Sequence, residues 1–382
     1  MLVRRFLFLC VAMLESSCAL ASQDSPFEKA LSDLGNSDQI VGLAAAVVRD
    51  GKVAMVKTYG HRETGNVDKV NPDTIFRIAS LSKAFAAAVA VQLEQEDRLS
   101  LSDPAIASNP SFQLKGHSQA RSASLEHVLS HRLSLPPYAY DNLLEANIAP
   151  EKILSEMRKV QPICAVGTCY AYQNVGFNMI ASAIEIADKK SYAESVQSRI
   201  FTPLNMEGAS FGKNNLMKGD NWAHSYRRRP NERWSAVNVK EPYYDVPAAG
   251  GINANVIDMS KWLLAQMGHH QEVLSQIALN RLHTPQVPTA RESRRVKFMH
   301  HVNNTHYGLG WRIYDYAGSK VINHSGSVEG YGAQIAFLPE KGVGLILLTN
   351  SKTRDFWRIL PKFLDQELGL EDDFCKTENQ LC

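Results

Sequence analysis

What this chain has little of narrows its class first. Its 382 residues carry 41 Lys and Arg against 39 Asp and Glu, a formal charge of +2. That balance offers no basic excess for a nucleic-acid partner. The apolar run from Phe6 to Leu14 falls far short of a bilayer-crossing helix, and no other segment is longer. There is no internal repeat and no low-complexity tract, so solenoid and linker-like architectures are excluded. Cysteine is scarce, six in all, and none has the spacing or histidine company of a zinc site.

What is present suits an exported globular protein. The length is enough for one large domain or two closely packed ones. Arg4 and Arg5, the apolar run after them, and Ala19-Leu20-Ala21 before Ser22 read as a cleavable secretory signal over residues 1–21. An uncleaved anchor and a lipidated Cys18 are the alternatives. The expected location is the periplasm or the medium, with no integral membrane segment in the mature chain. Removing the signal removes Cys10 and Cys18 and leaves Cys164, Cys169, Cys375 and Cys382. An even number in an exported chain favours disulfides. The simplest pairing is local, Cys164 with Cys169 and Cys375 with Cys382, with free surface thiols as the alternative.

Chemistry concentrates at Ser80-Leu81-Ser82-Lys83, the mouth of an Ala-rich helix. A serine hydroxyl needs a base within hydrogen-bond reach to act as a nucleophile. Residues three apart share a helix face, so Lys83 leans over Ser80. The helix is apolar all round and reads as buried, which favours a neutral, proton-accepting lysine. Ser210-Phe211-Gly212-Lys213 matches the same pattern in a glycine-rich loop setting. Two later elements favour the first match: Tyr172-Gln173-Asn174, and His324-Ser325-Gly326. Tyr140-Asp141-Asn142 is a rival second element. Tyr172 is preferred because Asn174 runs on into an apolar helix.

In that order the three motifs resemble the penicillin-recognising serine hydrolases, in particular the group of class C β-lactamases, D-Ala-D-Ala carboxypeptidases and esterases. Phe76-Arg77-Ile78-Ala79, Leu129-Ser130-His131, Pro247-Ala248-Ala249-Gly250-Gly251 and Tyr307-Gly308-Leu309-Gly310-Trp311 also resemble the family. The likeness runs from near residue 40 to residue 350. It implies an α/β (α+β) β-lactamase/transpeptidase-like fold, an antiparallel five-stranded sheet flanked by helices with an inserted, mostly helical domain. The sheet domain is expected over 22–100 and 245–370, the helical one over 101–244, and a tail over 371–382. The resemblance implies Ser80 as nucleophile, Lys83 as first base and Tyr172 as second proton carrier. Asn174, His324, Ser325, Gly326 and Ser327 would bind substrate, and the amides of Ser80 and Ser327 would form the oxyanion hole. Histidine at 324, where class C β-lactamases usually carry lysine, looks more like the peptidase and esterase branches. A histidine there would read a substrate carboxylate only as it charges near neutral pH.

The local patterns agree with such a fold. Leu43–Val48 and Val53–Tyr59 read as strands joined at Asp50-Gly51, a hairpin turn. Tyr307–Tyr314, Lys320–His324, Gln334–Leu338 and Val343–Leu348 read as later strands. Arg354–Leu368 reads as a helix interrupted near Pro361. Leu125–Ser130, Pro150–Val160 and Val175–Ala187 read as helices. Gly208-Ala209-Ser210-Phe211-Gly212 mimics a nucleophile elbow without the strand-to-helix context. His127 and His131 could share a metal but lack a third ligand and read as structural. Arg227-Arg228-Arg229 with Arg233 reads as a solvated basic loop. The expected activity is acyl-enzyme hydrolysis of an amide or ester, without metal or cofactor. The first substrate choice is a D-amino-acid cell-wall peptide, then a β-lactam, then a short-chain ester. A penicillin-binding sensor that acylates without turnover is the reading from another class.

Overall fold

The structure is a computed structural model that describes residues 25–230 and 233–371. The proposed signal and the pair Cys375 and Cys382 lie outside those residues. Eight strands form the main sheet: β1 (Gly42–Arg49), β2 (Lys52–Gly60), β3 (Val287–Pro288), β4 (Val302–Tyr307), β5 (Arg312–Tyr316), β6 (Ser319–Val328), β7 (Tyr331–Leu338) and β8 (Val343–Thr349). Their order is β2-β1-β8-β7-β6-β5-β4-β3, antiparallel throughout. The five strands from β2 to β6 are the expected ones. The sheet is longer because the run read as one strand, Tyr307–Tyr314, is two, and because Val287–Pro288 adds a short edge strand beside β4. Gly310, at φ +74°, takes the left-handed conformation that lets the chain double back between β4 and β5. The β1–β2 turn is made by Asp50 and Gly51, both at positive φ, as a tight hairpin requires.

Period-two alternation divides the core into two layers. Ala44, Ala46, Ile346 and Leu348 face one side, against helix α2 (Ser82–Gln95) and α4 (Val256–Gln266). Leu43, Ala45, Leu345 and Leu347 face the other, against α1 (Pro26–Gly35) and α5 (Arg354–Leu368). Helix α5 runs unbroken through Pro361, contrary to the expected interruption. Its buried stripe of Phe356, Ile359, Leu360, Phe363 and Leu364, with Thr353 capping one end and Gly369 the other, outweighs the roughly 3 kcal/mol of a mid-helix proline. Between β2 and β3 lie mainly short helices, joined by α3 (Val175–Asp188). A two-stranded ribbon, Ser225–Arg228 with Trp234–Val237, holds part of the arginine cluster.

Candidate active site

Helix α2 is buried along nearly its whole length, with Phe85 stacked on Trp262 at 4.0 Å. It therefore holds its first turn rigidly. Ser80 sits just ahead of it in a 3-10 turn, Ala79–Leu81. Ala79 adopts φ +49°, unusual for a side chain with a Cβ, and this bend lifts Ser80 into the cleft. Lys83 is fully buried. Its Nζ lies 3.4 Å from Ser80 Oγ, 2.8 Å from Asn174 Oδ1 and 2.9 Å from the Ala249 carbonyl. Burial holds its pKa well below the ordinary lysine value; Asp141 pulls the other way and Arg312 adds to the lowering. A neutral amine has two N–H donors and one lone pair. In that form Asn174 and Ala249 would take both donors and leave the lone pair for Ser80.

Asn174 is oriented from behind. Its Nδ2 donates to Asp141 Oδ2 at 2.6 Å, which turns its oxygen toward Lys83. Asp141 belongs to the rival Tyr140-Asp141-Asn142 motif. The structure brings in that motif's aspartate and leaves Tyr140 at the start of a short helix, at φ +60°. Burial raises the Asp141 pKa. Tyr172 is hydrogen-bonded to the Ser80 side chain, and burial raises its phenol above the ordinary value. Tyr172 is thus a neutral phenol at working pH. Ser80, Tyr172 and Asn174 line one cavity of about 150 Å³ together with Ser325 and Ser327.

Strand β6 runs past the end of β5, which pairs only with residues 319–323. The overhang from His324 to Val328 keeps its partner β7 and presents its other edge to the Ser80 turn. Gly326 packs on that turn: a Cβ there would overlap the Ile78 carbonyl oxygen, well inside the 3.0 Å that real Cβ atoms keep. Its role is close packing under Ser80. Ser327 Oγ accepts from Lys352 Nζ.

His324 corrects an expectation. Its side chain is fully buried and does not line the cleft. Its Nδ1 bonds the Ser325 carbonyl at 2.9 Å and its Nε2 meets the Tyr307 hydroxyl at 3.0 Å. The same hydroxyl meets His131 Nε2 at 3.2 Å, while His131 Nδ1 accepts from the Gln173 amide at 3.1 Å. These partners set the tautomers: His131 Nε2–H donates to Tyr307, Tyr307 donates to His324 Nε2, and His324 Nδ1–H donates to Ser325. Burial, with the nearby cations, lowers the pKa of both imidazoles well below the ordinary value. His324 therefore carries no charge to a substrate. The permanent cations at the cleft are Arg312 and Arg295. Arg312 is buried, with its guanidinium 5.5 Å from the Tyr172 ring centre and an ion pair to Glu292 at 2.7 Å. The Tyr307–Trp311 motif ends one residue short of it.

The other candidates fall outside this site. Ser210 pairs in a short strand with Asn253, and Lys213 meets Glu241 at 3.6 Å near the surface. His127 Nδ1 accepts from the Ser124 amide at 3.2 Å. Cys164 and Cys169 form a disulfide. Its loop is tied down by Ile163 N–H to the Ser134 carbonyl at 2.9 Å and Ala171 N–H to the His131 carbonyl at 2.9 Å, immediately before Tyr172.

The family described as Beta-lactamase matches residues 27–366. The chain belongs to the beta-lactamase family. Among this family's proteins it is 25% identical to an unguisins hydrolase of Aspergillus campestris, over 86% of this chain and 62% of that one. It is 25% identical to an unguisins hydrolase of Aspergillus violaceofuscus, over 93% and 67%. It is 23% identical to Protein flp of Staphylococcus aureus, over 81% and 60%. The chain thus spans about two thirds or less of the length of these relatives. The octameric penicillin-binding protein homologue from Pyrococcus abyssi superposes with a TM-score of 0.80 at 25% identity, over 91% of this chain and 78% of that one. The β-lactamase/transpeptidase-like fold is common to both.

Proposed function

We propose that this chain is an exported serine hydrolase that works through an acyl-enzyme, most readily as a D-amino-acid peptidase on peptides ending in a carboxylate. The observation that carries the reading is the fully buried Lys83, its pKa lowered by that burial and its Nζ 3.4 Å from Ser80 Oγ. Lys83 takes the Ser80 proton as Oγ bonds to the carbonyl carbon. The carbonyl oxygen gains the charge, and on this reading the amides of Ser80 and Ser327 receive it. Collapse breaks the bond to the leaving nitrogen or oxygen, which takes its proton from Tyr172. The Lys83 ammonium then returns a proton to the Tyr172 phenolate. Water then attacks the ester and gives a proton to the same pair; the bond to Ser80 Oγ breaks, Oγ takes that proton back, and the acid is freed.

Arg312 and Arg295 favour a carboxylate beside the scissile bond, because guanidinium stays charged at every working pH. The names of the relatives, unguisins hydrolases and a penicillin-binding protein homologue, are in keeping with a hydrolase. The Cys164–Cys169 disulfide favours an oxidising compartment, and among the described residues no helix is long and apolar enough to cross a membrane.

The test is intact-mass spectrometry after incubation with a penicillin, an acetylated D-Ala-D-Ala peptide and its C-terminal amide. An adduct or cleavage that Ser80→Ala abolishes is expected, with the free acid preferred over the amide. Equal use of acid and amide would remove the carboxypeptidase reading. Chemistry that survives Ser80→Ala would remove the nucleophile.

A further inference from the structure

A second cavity, of about 390 Å³, lies beneath α5 between that helix, the segment from Glu292 to Met299 and the strands β5 to β7. It shares Arg295, Ser325 and Trp357 with the catalytic cleft, so the two are joined. None of the proton or acyl transfers at Ser80 uses it. Its walls are apolar at Met299, Tyr314, Trp357 and Leu360. A cavity of about 150 Å³ is enough to admit benzene, so this one has room for a large aromatic group.

One wall atom is out of keeping with an empty apolar hole. Gln334 is 7% exposed and lies directly across the ladder from Ser325. Its Oε1 is buried and accepts no hydrogen bond among the described residues. A buried amide oxygen without a donor has lost its hydration uncompensated, and a ligand donor would recover that loss. The mouth is positive. Glu292 is engaged by Arg312 at 2.7 Å, by the Tyr314 hydroxyl at 3.1 Å and more distantly by Arg295 at 3.9 Å, while Arg354 has no carboxylate partner among the described residues.

We propose that this cavity is the subsite for a C-terminal aromatic residue whose ring carries a hydrogen-bond donor, a tyrosine or tryptophan. The ring enters between Met299, Trp357 and Leu360, its O–H or N–H donates to Gln334 Oε1, and its carboxylate stays at the mouth beside Arg295, the arginine that lines both cavities. This deepens the peptidase reading and rests on it for the word substrate, but not for the binding. An alanine methyl would leave the cavity unfilled.

The experiment is calorimetric titration of the full chain, and of Ser80→Ala, with N-acetyltyrosine, N-acetylphenylalanine and N-acetylalanine in both enantiomers. N-acetyltyrosine is expected to bind about tenfold more tightly than N-acetylphenylalanine, the usual worth of one buried hydrogen bond. N-acetylalanine should bind at least tenfold more weakly again. Gln334→Met should erase the tyrosine-over-phenylalanine preference. Met299→Trp, which fills the cavity, should abolish binding of both. Failure of N-acetyltyrosine to bind, binding equal to N-acetylalanine, or a preference that survives Gln334→Met would each overturn the proposal. If N-acetyltyrosine binds as stated but no peptide ending in tyrosine is cleaved, the peptidase reading fails and the subsite stands. If such peptides are cleaved without preference over alanine and regardless of Met299→Trp, the subsite fails and the peptidase reading stands.

Discussion

Gly326→Ala should disable the enzyme without touching any group that takes part in the chemistry. The added methyl points at the carbonyl oxygen of Ile78, and the overlap is with backbone, which cannot rotate away. That carbonyl accepts the Leu81 amide at 3.2 Å and so anchors the turn carrying Ser80, while Ile78 N–H is itself tied to the Ile252 carbonyl at 3.1 Å. Neither strand can move freely, since β6 is registered against β7 from Ile322 to Val328. The carbonyl must retreat by most of an ångström, and Ser80 goes with it. The contact from Lys83 Nζ to Ser80 Oγ starts at 3.4 Å, already at the long end for proton transfer. Misplacement on the order of 1 Å costs about 10²-fold in rate. Turnover of nitrophenyl acetate should therefore fall about 10²-fold, with a loss of stability of about 1–3 kcal/mol from overpacking. Gly318→Ala is the control. It lies in the β5–β6 turn at φ +84° with nothing within 4 Å of its Cβ. It carries a backbone penalty of about 1–2 kcal/mol with no path to Ser80. If a folded Gly326→Ala turns over within threefold of wild type, the turn is not set by this contact and the steric argument is wrong.

Other consequences are open to measurement. Because Asp141 raises the Lys83 pKa from a value that burial has lowered, Asp141→Asn should move the acid limb of the pH–rate profile to lower pH, read on an uncharged ester; an unmoved or upward limb refutes the coupling. His324 is neutral and turned away from the cleft, so the preference of wild type for an acid over its methyl ester should be flat from about pH 6 to 8. His324→Leu should cost about 1–3 kcal/mol in denaturant unfolding, by leaving the buried Tyr307 O–H without an acceptor, and a preference that tracks imidazole titration would restore His324 as a charge reader. Burial lowers the His283 pKa to about 3. An unfolded chain takes up a proton near pH 6.5 that the native chain refuses, so this stability is complete above that pH and is lost as pH falls toward 3. His283→Gln should recover about 2 kcal/mol of the loss between about pH 6.5 and 4.5, and an unchanged slope would show that His283 does not report it.

The parts of the fold and site that were legible in the sequence are those written in a few adjacent residues. Ser80 and Lys83 are three apart on one turn, Asp50-Gly51 makes its own hairpin, and the Cys164–Cys169 pair needs only local chain. What was not legible depends on residues brought together from afar. Asp141 was in view only as part of a competing motif, because nothing local says that an aspartate 33 positions before Asn174 will orient its amide. His324 looked like a charge reader by its place in a motif. Only the packing of Tyr307 and His131 around it turns it into a neutral relay post. Gly326 looked like a substrate contact, since an extended glycine gives no hint that another strand's carbonyl lies above it. Pro361 looked like a break because local preference was read without the sheet face that holds α5 in place.

The pairing of β1 also has a consequence for how the chain comes to be folded at all. Leu43 lies opposite Thr349, so the central ladder joins segments roughly 300 residues apart. At about 5–20 residues per second, a ribosome needs on the order of 15–60 s to deliver β8 after β1 has emerged. Through that interval Leu-Ala-Ala-Ala-Val-Val, residues 43–48, is a chargeless strand with one open edge, buried on both faces only in the finished protein. The nascent chain is thus most vulnerable to intermolecular pairing before its last strand exists. Its yield in a host should depend on translation speed and on whatever shields that edge, more than on the stability of the completed sheet.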